Sequence, residues 1–234
     1  MEGSETANLH LHAHHAIQIT FQLHGWFEIN LGKEKLAGPV AAVASDALHG
    51  FRASGAVAFL FIAPESAVGI ALSRQYFAEH LWAEITDGPL AAALEPLRAC
   101  NAGAGSASEM RRIGKAILAT LPTAADLMMP DARVLAMLDY ARHHLDGPVT
   151  LPAASAKVGL SPSRARHLFA AQTGLPFKSY VLWLRIERAV ELYAAGHSLT
   201  EAAHEAGFAD SAHFSRSFRR MYGLPAAALR LYRD

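Results

Sequence analysis

Residues 151–225 hold one segment twice, and that duplication limits the fold more than any other feature of the chain. Leu151, Ala154 and Gly159 recur as Leu199, Ala202 and Gly207, 48 positions on; Phe169 and Gly174-Leu175-Pro176 recur as Phe218 and Gly223-Leu224-Pro225, 49 positions on. The one extra residue falls in the turn, where insertions cost least. Each copy reads as a helix, a glycine-centred turn and a second helix. In the first copy Thr150 is placed as an N-cap ahead of Leu151–Val158, with Pro152 tolerated in the first turn. Gly159-Leu160 supplies a left-handed helix end, and Ser161 and Pro162 then start the second helix as cap and first helical residue. In the second copy Ser198 and Glu201 form a capping-box pattern, Gly207 closes the helix, and Asp210 caps the next.

A helix, a short glycine turn and a helix make the unit whose second helix enters the major groove of DNA. Between the copies, residues 178–195 read as one helix of about 18 residues, or about 27 Å at 1.5 Å per residue. That length holds two reading helices near one DNA turn apart, roughly 34 Å. Base readout needs exposed side chains near the start of each second helix. In the first copy Leu168 and Phe169 are expected to pack inward, which leaves Ser163, Arg164, Arg166 and His167 facing out. Arg166 is the best candidate, because one guanidinium can bond guanine O6 and N7 together.

Charge supports the same partition. The chain has 21 basic and 21 acidic residues and a formal net charge of zero. Residues 1–130 carry 8 basic and 12 acidic side chains, a balance of −4; residues 131–234 carry 13 and 9, a balance of +4. An asymmetry of this kind predicts two domains, the second facing a polyanion. The expected organisation is α+β: a first domain over 1–122, a linker over 123–130 around Pro122 and Pro130, and an all-α second domain over 131–234.

Residues 131–234 resemble the DNA-binding domain of the AraC/XylS family of bacterial transcription regulators. The resemblance rests on Gly159-Leu-Ser-Pro-Ser-Arg-Ala-Arg-His-Leu-Phe169, on Leu184-Arg-Ile-Glu-Arg-Ala189, and on Ala206-Gly-Phe-Ala-Asp-Ser-Ala-His-Phe-Ser-Arg-Ser-Phe-Arg-Arg220. The chain departs from the family at Ala226, where a proline is usual. The resemblance implies an all-α domain with two helix-turn-helix motifs joined by a central helix. It makes Ser211, Ala212, His213, Ser215 and Arg216 contact candidates in the second copy, with Arg216 foremost. Lys178, Arg219 and Arg220 are placed on phosphates, which set register without reading sequence. It also implies double-stranded promoter DNA as a partner, RNA polymerase as a second, a homodimer, and activation rather than repression.

The first domain has β texture from Ala16 to Ile62. Ile17, Ile19, Phe21 and Leu23 alternate with Gln18, Thr20, Gln22 and His24, the pattern of a half-buried strand. Gly25, Gly32, Gly38, Gly50 and Gly55 are read as punctuation between short strands of a small barrel. Residues 65–97 read as helical, with Tyr76, Phe77, Leu81 and Trp82 in a 3–4 residue rhythm, either covering the sheet or forming a dimer contact. Ile113, Ile117 and Leu121 mark a further amphipathic helix.

His10, His12 and His14 share one strand face, with Gln18 at the same parity. The spacing His12-x-His14-x3-Gln18-x6-Gly25 resembles the first motif of the cupin family, with Gln in place of the usual Glu. His49 is the candidate for the histidine of a second motif, whose usual Gly and Pro are absent here. AraC-type regulators commonly carry a cupin-like barrel at the N-terminus, so the two resemblances agree. His12, His14, Gln18 and His49 could ligate a divalent metal; the same positions could line an organic effector pocket, or form a solvated face.

Other chemistry is narrowed by what is absent. The single Cys100 excludes an internal disulfide and a cysteine-based zinc site, which fits a reducing compartment. Residues 1–15 show no secretory pattern, and the longest apolar run, Gly55–Ala63, is far short of the roughly 20 residues that span a bilayer, so a cytoplasmic protein without membrane segments is expected. No Ser–His–Asp, phosphate-loop or Cys–His pattern supports catalysis. The function expected is DNA-binding regulation under a small effector or a dimer contact. The alternatives are a cupin-type metal-dependent enzyme with an accessory helical domain, and a structural DNA-binding protein without an effector.

Overall fold

The computed structural model describes residues 6–103, 105–123, 130–223 and 225–226. The chain falls into two compact units, Met1–Leu127 with Arg219–Asp234, and Met128–Phe218. Most of the expected linker, 123–130, lies outside the described residues, as does the side chain of His10.

The first unit is built on six antiparallel strands: β1 (Thr6–His12), β2 (Ile17–Leu31), β3 (Glu34–Leu36), β4 (Val40–Val43), β5 (His49–Ile62) and β6 (Trp82–Glu84). Their order is β1-β5-β2-β4-β6, with β3 added to the end of β2. The sheet curls as a half-barrel around the antiparallel pair β2 and β5, whose 15 and 14 residues far exceed the short strands expected. Gly25 and Gly55 do not end these strands. They face each other in the ladder at φ +78° and +101°, and a Cβ would stand 1.9 Å from Ser54 O at Gly25 or 2.3 Å from His24 O at Gly55. The two backbones approach so closely that only glycine fits, and the strand pair bends there.

A register shift between Gln22 and His24 also reverses which residues face which side of β2. Before it, Ile17, Ile19, Phe21 and Leu23 face a core completed by Leu72, Ile85, Leu90, Leu97, Ile113 and Ile117. After it, Phe27 and Ile29 join Leu36, Ala41, Val43 and Phe51 on the opposite side. The expected half-buried strand is therefore buried on both faces over its first half: Gln18 is 3% exposed and Thr20 fully buried.

Among the described residues the helices α1 (Ala67–Tyr76), α2 (Gly88–Ala92), α3 (Leu94–Ala102) and α4 (Ala107–Thr120) accompany the sheet. Ser66 and Ser106 cap α1 and α4 through their hydroxyls. The amphipathic helix expected around Ile113 is α4. The helical rhythm through Leu81 and Trp82 is not followed. Trp82 begins β6, paired to Val43, and Leu81 is exposed. Tyr76 and Phe77 pack on the core as partial cover for the sheet.

The second unit is helical: α5 (Ala132–His143), α6 (Leu151–Lys157), α7 (Pro162–Thr173), α8 (Phe177–Ala194), α9 (Leu199–Glu205) and α10 (Ser211–Tyr222), the last of which runs past Phe218. The duplication is visible residue for residue. α6 and α9 have seven residues each, α7 and α10 twelve, and the extra residue lies in the second turn. Both first helices end in the same motif. The amide of Gly159 donates to Ala156 O and that of Leu160 to Ser155 O; Gly207 donates to His204 O and Phe208 to Ala203 O. Ser161 caps α7, and Ser198 with Glu201 closes a full capping box on α9. The central α8 is apolar on several sides, with Phe177, Tyr180, Val181, Trp183, Ile186 and Ala189 buried between the two copies. Among the described residues, no helix is long and apolar enough to cross a membrane.

Candidate nucleic-acid interface and histidine cluster

The second helix of each copy presents a basic, acid-free surface. In α7, Ser163, Arg164, Arg166 and His167 are exposed, while Ala165 and Phe169 are fully buried. Pro162 and the Ser161 cap fix the start of this helix, and the four exposed side chains project from its first two turns. In α10, Ala212, His213, Arg216, Arg219 and Arg220 are exposed, Ser211 and Ser215 half-buried, and Phe214 and Phe218 buried. The Asp210 carboxylate accepts from the His213 amide at 2.5 Å, and the His213 ring meets Phe208 edge-on at 5.3 Å. Neither helix carries an acidic residue. Lys178 is exposed at the start of α8.

Arg185 has a different part, one that the helical spacing alone did not reveal. Its guanidinium packs over the turn of the second copy, where a Cβ on Gly207 would stand 3.1 Å from Nε, and Nη2 donates to Gly147 O at 3.3 Å. Gly207 thus serves two needs, a left-handed backbone at φ +83° and room for this side chain. Arg185 ties the central helix to the loop before α6.

In the first unit the structure brings His12, His14, Gln18 and His49 together. His12 and His49 are directly opposite in the β1–β5 ladder. Their ring centroids are 4.3 Å apart, and His14 lies 5.8 Å from His12 and 5.1 Å from His49. All four side chains are buried, which removes the reading of a solvated face. His14 Nδ1 donates to Ala16 O at 2.9 Å, and His49 Nδ1 to Ala47 O at 2.8 Å. A carbonyl only accepts, so in the neutral His49 ring Nε2 holds a lone pair. Gln18 Oε1 lies 3.0 Å from His14 Nε2, and Gln18 Nε2 donates to Thr20 Oγ1 at 3.1 Å. With the Nδ1 proton donated to Ala16 O, the neutral His14 ring turns a lone pair toward that Gln18 oxygen, a repulsion that turning the Gln18 amide over relieves. Among the described residues, His49 Nε2 is buried without a hydrogen-bond partner.

Burial lowers the pKa of His14. Burial first, and then the neighbouring His12 and His14, push His49 down to about 3. His14 and His49 are therefore neutral near pH 7, the form in which imidazole ligates metal. Next to the cluster, His15 and Glu65 form a buried pair at 2.8 Å that joins the β1–β2 turn to the residue before the α1 cap. That link spans 50 positions, and nothing local in the sequence signals it.

A protein-family model described as a helix-turn-helix domain matches residues 154–231. The probable transcriptional regulator LumQ of Photobacterium leiognathi is 32% identical over 87 residues, 37% of this chain and 35% of LumQ. The transcriptional activator RhaS of Salmonella schwarzengrund is 31% identical over 105 residues, 44% of this chain and 38% of RhaS. The chain spans roughly a quarter to two fifths of the length of the curated relatives it matches. Among solved structures, ToxT from Vibrio cholerae O395 aligns over 95% of this chain and 90% of its own, with a TM-score of 0.53 and 10% identity, a likeness of fold alone.

Proposed function

We propose that the whole chain is a sequence-specific, DNA-binding transcription regulator of the AraC/XylS type, controlled by a small effector or a dimer contact at its first unit; the helix-turn-helix match over residues 154–231 and the likeness to the activator RhaS support this reading. One observation carries the proposal: two capped helix–turn–helix copies of matched length, each with an exposed, arginine-bearing second helix free of acidic residues. A bundle without DNA to bind has no need of that match.

In this reading α7 and α10 enter successive major grooves on one face of the duplex. Arg166 and Arg216 read bases, flanked by Ser163, Arg164 and His167 in α7 and by Ser211, His213 and Ser215 in α10. Lys178, Arg219 and Arg220 hold phosphates and set the register. The effector shifts the population toward one arrangement of the DNA-binding domains, and promoter occupancy follows. RhaS is named an activator, and a ToxT structure is described with a naphthalenyl butenoic acid bound. The first supports activation and the second control by an effector; in our reading the activator acts in the cytoplasm, with RNA polymerase as its second partner.

A random-library DNA selection with the full chain tests the proposal. The expected result is a bipartite site whose two read segments lie about 10–10.5 bp apart. A library left without enrichment overturns it. A cupin-type metalloenzyme with an accessory helical domain leaves the second helices of both copies without a role, and we read the chain as non-catalytic.

A further inference from the structure

The DNA-binding reading makes no use of the buried histidine cluster. We propose that His12, His14 and His49 bind one divalent transition-metal ion of the zinc class, and that this ion is the ligand that regulates the first unit. The regulatory half rests on the reading above, that the first unit senses an effector; the site itself does not.

Four observations support the site. One potential ligand atom from each of the three residues lies within 4.8 Å of the other two, close enough for a single ion to reach all three after small side-chain rotations. The backbone orients the rings: the Ala47 carbonyl takes the Nδ1 proton of His49, so His49 presents Nε2 as its donor atom, and the Ala16 carbonyl faces Nδ1 of His14, which presents Nε2 as well once the Gln18 amide turns its oxygen away. A backbone carbonyl behind a ligating histidine is the usual outer support of a metal site, setting tautomer and orientation. His49 Nε2 is a buried lone pair without a hydrogen-bond partner among the described residues, and an ion supplies one. Lastly, His12 and His49 sit on paired strands and His14 in the turn between β1 and β2, so the curl of the sheet holds the three together without a mobile segment.

The donor set also selects the ion. Imidazoles without a carboxylate among them suit zinc, cobalt, nickel or copper; magnesium and calcium require oxygen ligands. The Gln18 amide, at 3.0 Å from His14 Nε2, either offers its carbonyl oxygen to the ion or turns to support the ring. An organic effector does not fit between three ring nitrogens at this spacing. The cavity of about 700 Å³ in this unit is elsewhere, lined by residues of α2, α3 and α4 such as Pro89, Cys100, Arg112 and Ile117.

The test uses the untagged full chain, stripped with a chelator and titrated with Zn²⁺, Co²⁺ and Ca²⁺ separately. The expected outcome is one Zn²⁺ or Co²⁺ per chain, a rise in thermal midpoint with metal concentration, visible Co(II) absorption bands of a nitrogen-ligated site, and no response to Ca²⁺. His49→Gln and His12→Gln, each checked for native circular dichroism, are expected to lose the visible bands and to weaken binding by more than the 10–100-fold typical of an outer-shell change. A wild-type stoichiometry near zero, or binding unchanged in both variants, overturns the site. Regulation is read separately, as operator affinity of the stripped and loaded wild-type chain. A change of about 5-fold or more, absent in His49→Gln, supports the ion as effector; an unchanged affinity overturns that role. A failed DNA selection strikes the DNA-binding reading, and with it the regulatory role, while the metal stoichiometry still decides the site.

Discussion

The arginines of the two second helices divide by what a single substitution would change. Arg166 stands in the first exposed turns of α7, on a helix whose start is fixed by Ser161 and Pro162. Arg166→Ala is expected to weaken specific binding by about 1–3 kcal/mol and to relax preference at one base position. Lys178→Ala is expected to weaken all sequences about equally and to lower the salt slope by about one. An unchanged base preference after Arg166→Ala in a repeated selection would remove the base-reading role. A second residue-scale effect concerns acid stability. The Asp131 carboxylate accepts from the Arg133 guanidinium at 2.6 and 2.9 Å and from the Arg133 amide, and these bonds hold its pKa at about 2 against an ordinary 3.8. A carboxyl lowered in the folded state contributes stability above its unfolded pKa and loses it as pH falls through the folded one. The window here runs from about 3.8 down to about 2. Because the pair is exposed the effect is small. Asp131→Asn should flatten the acid limb of urea unfolding in that window, and an acid limb identical to wild type would show that the pair contributes nothing.

At the scale of elements, the legible part of the fold was the part whose signals are local. Caps, stops and the two offsets placed α6, α7, α9 and α10 within a residue or so, because N-cap side chains and left-handed glycines are chemistry of adjacent residues. The sheet was less legible. A glycine that ends a strand and a glycine that bends one are the same letter, and only the Gly25–Gly55 pairing distinguishes them. The alternation in β2 identified one buried face and missed the other, because burial of Gln18 and Thr20 depends on β4, β5 and the curl of the sheet. The histidines were legible as candidates from parity alone. Their convergence was not, since His49 reaches them through a pairing 37 positions away from His12. This account predicts a strong effect at Gly55. A Cβ there meets His24 O, and the backbone is left-handed. Gly55→Ala should cost about 1–3 kcal/mol from backbone strain alone, with more from the clash, read as a lower thermal midpoint. A midpoint within error of wild type would mean that the β2–β5 pair bends by some other means.

For the whole molecule, a net charge of zero is the sum of −4 over residues 1–130 and +4 over 131–234. Such a chain has no net charge to draw DNA from beyond a Debye length, so binding depends mainly on cations placed at contact. Six basic residues are candidates: Arg164, Arg166, Lys178, Arg216, Arg219 and Arg220, all exposed. If four to six of them neutralise phosphates or displace counterions, log K should fall with log salt at a slope between about −4 and −5, since each contact contributes about −0.9. The same reasoning separates the two kinds of site. Nonspecific binding has only the electrostatic part and should fade within the physiological range of salt. Specific binding retains the base contacts of Arg166 and Arg216, so the gap between operator and random DNA should widen as salt rises. Fluorescence anisotropy on both DNAs from low to physiological salt measures the two slopes together. A slope near zero on the operator would place the basic faces of α7 and α10 away from the phosphates, and a gap that closes with salt would mean that charge, rather than base reading, selects the site.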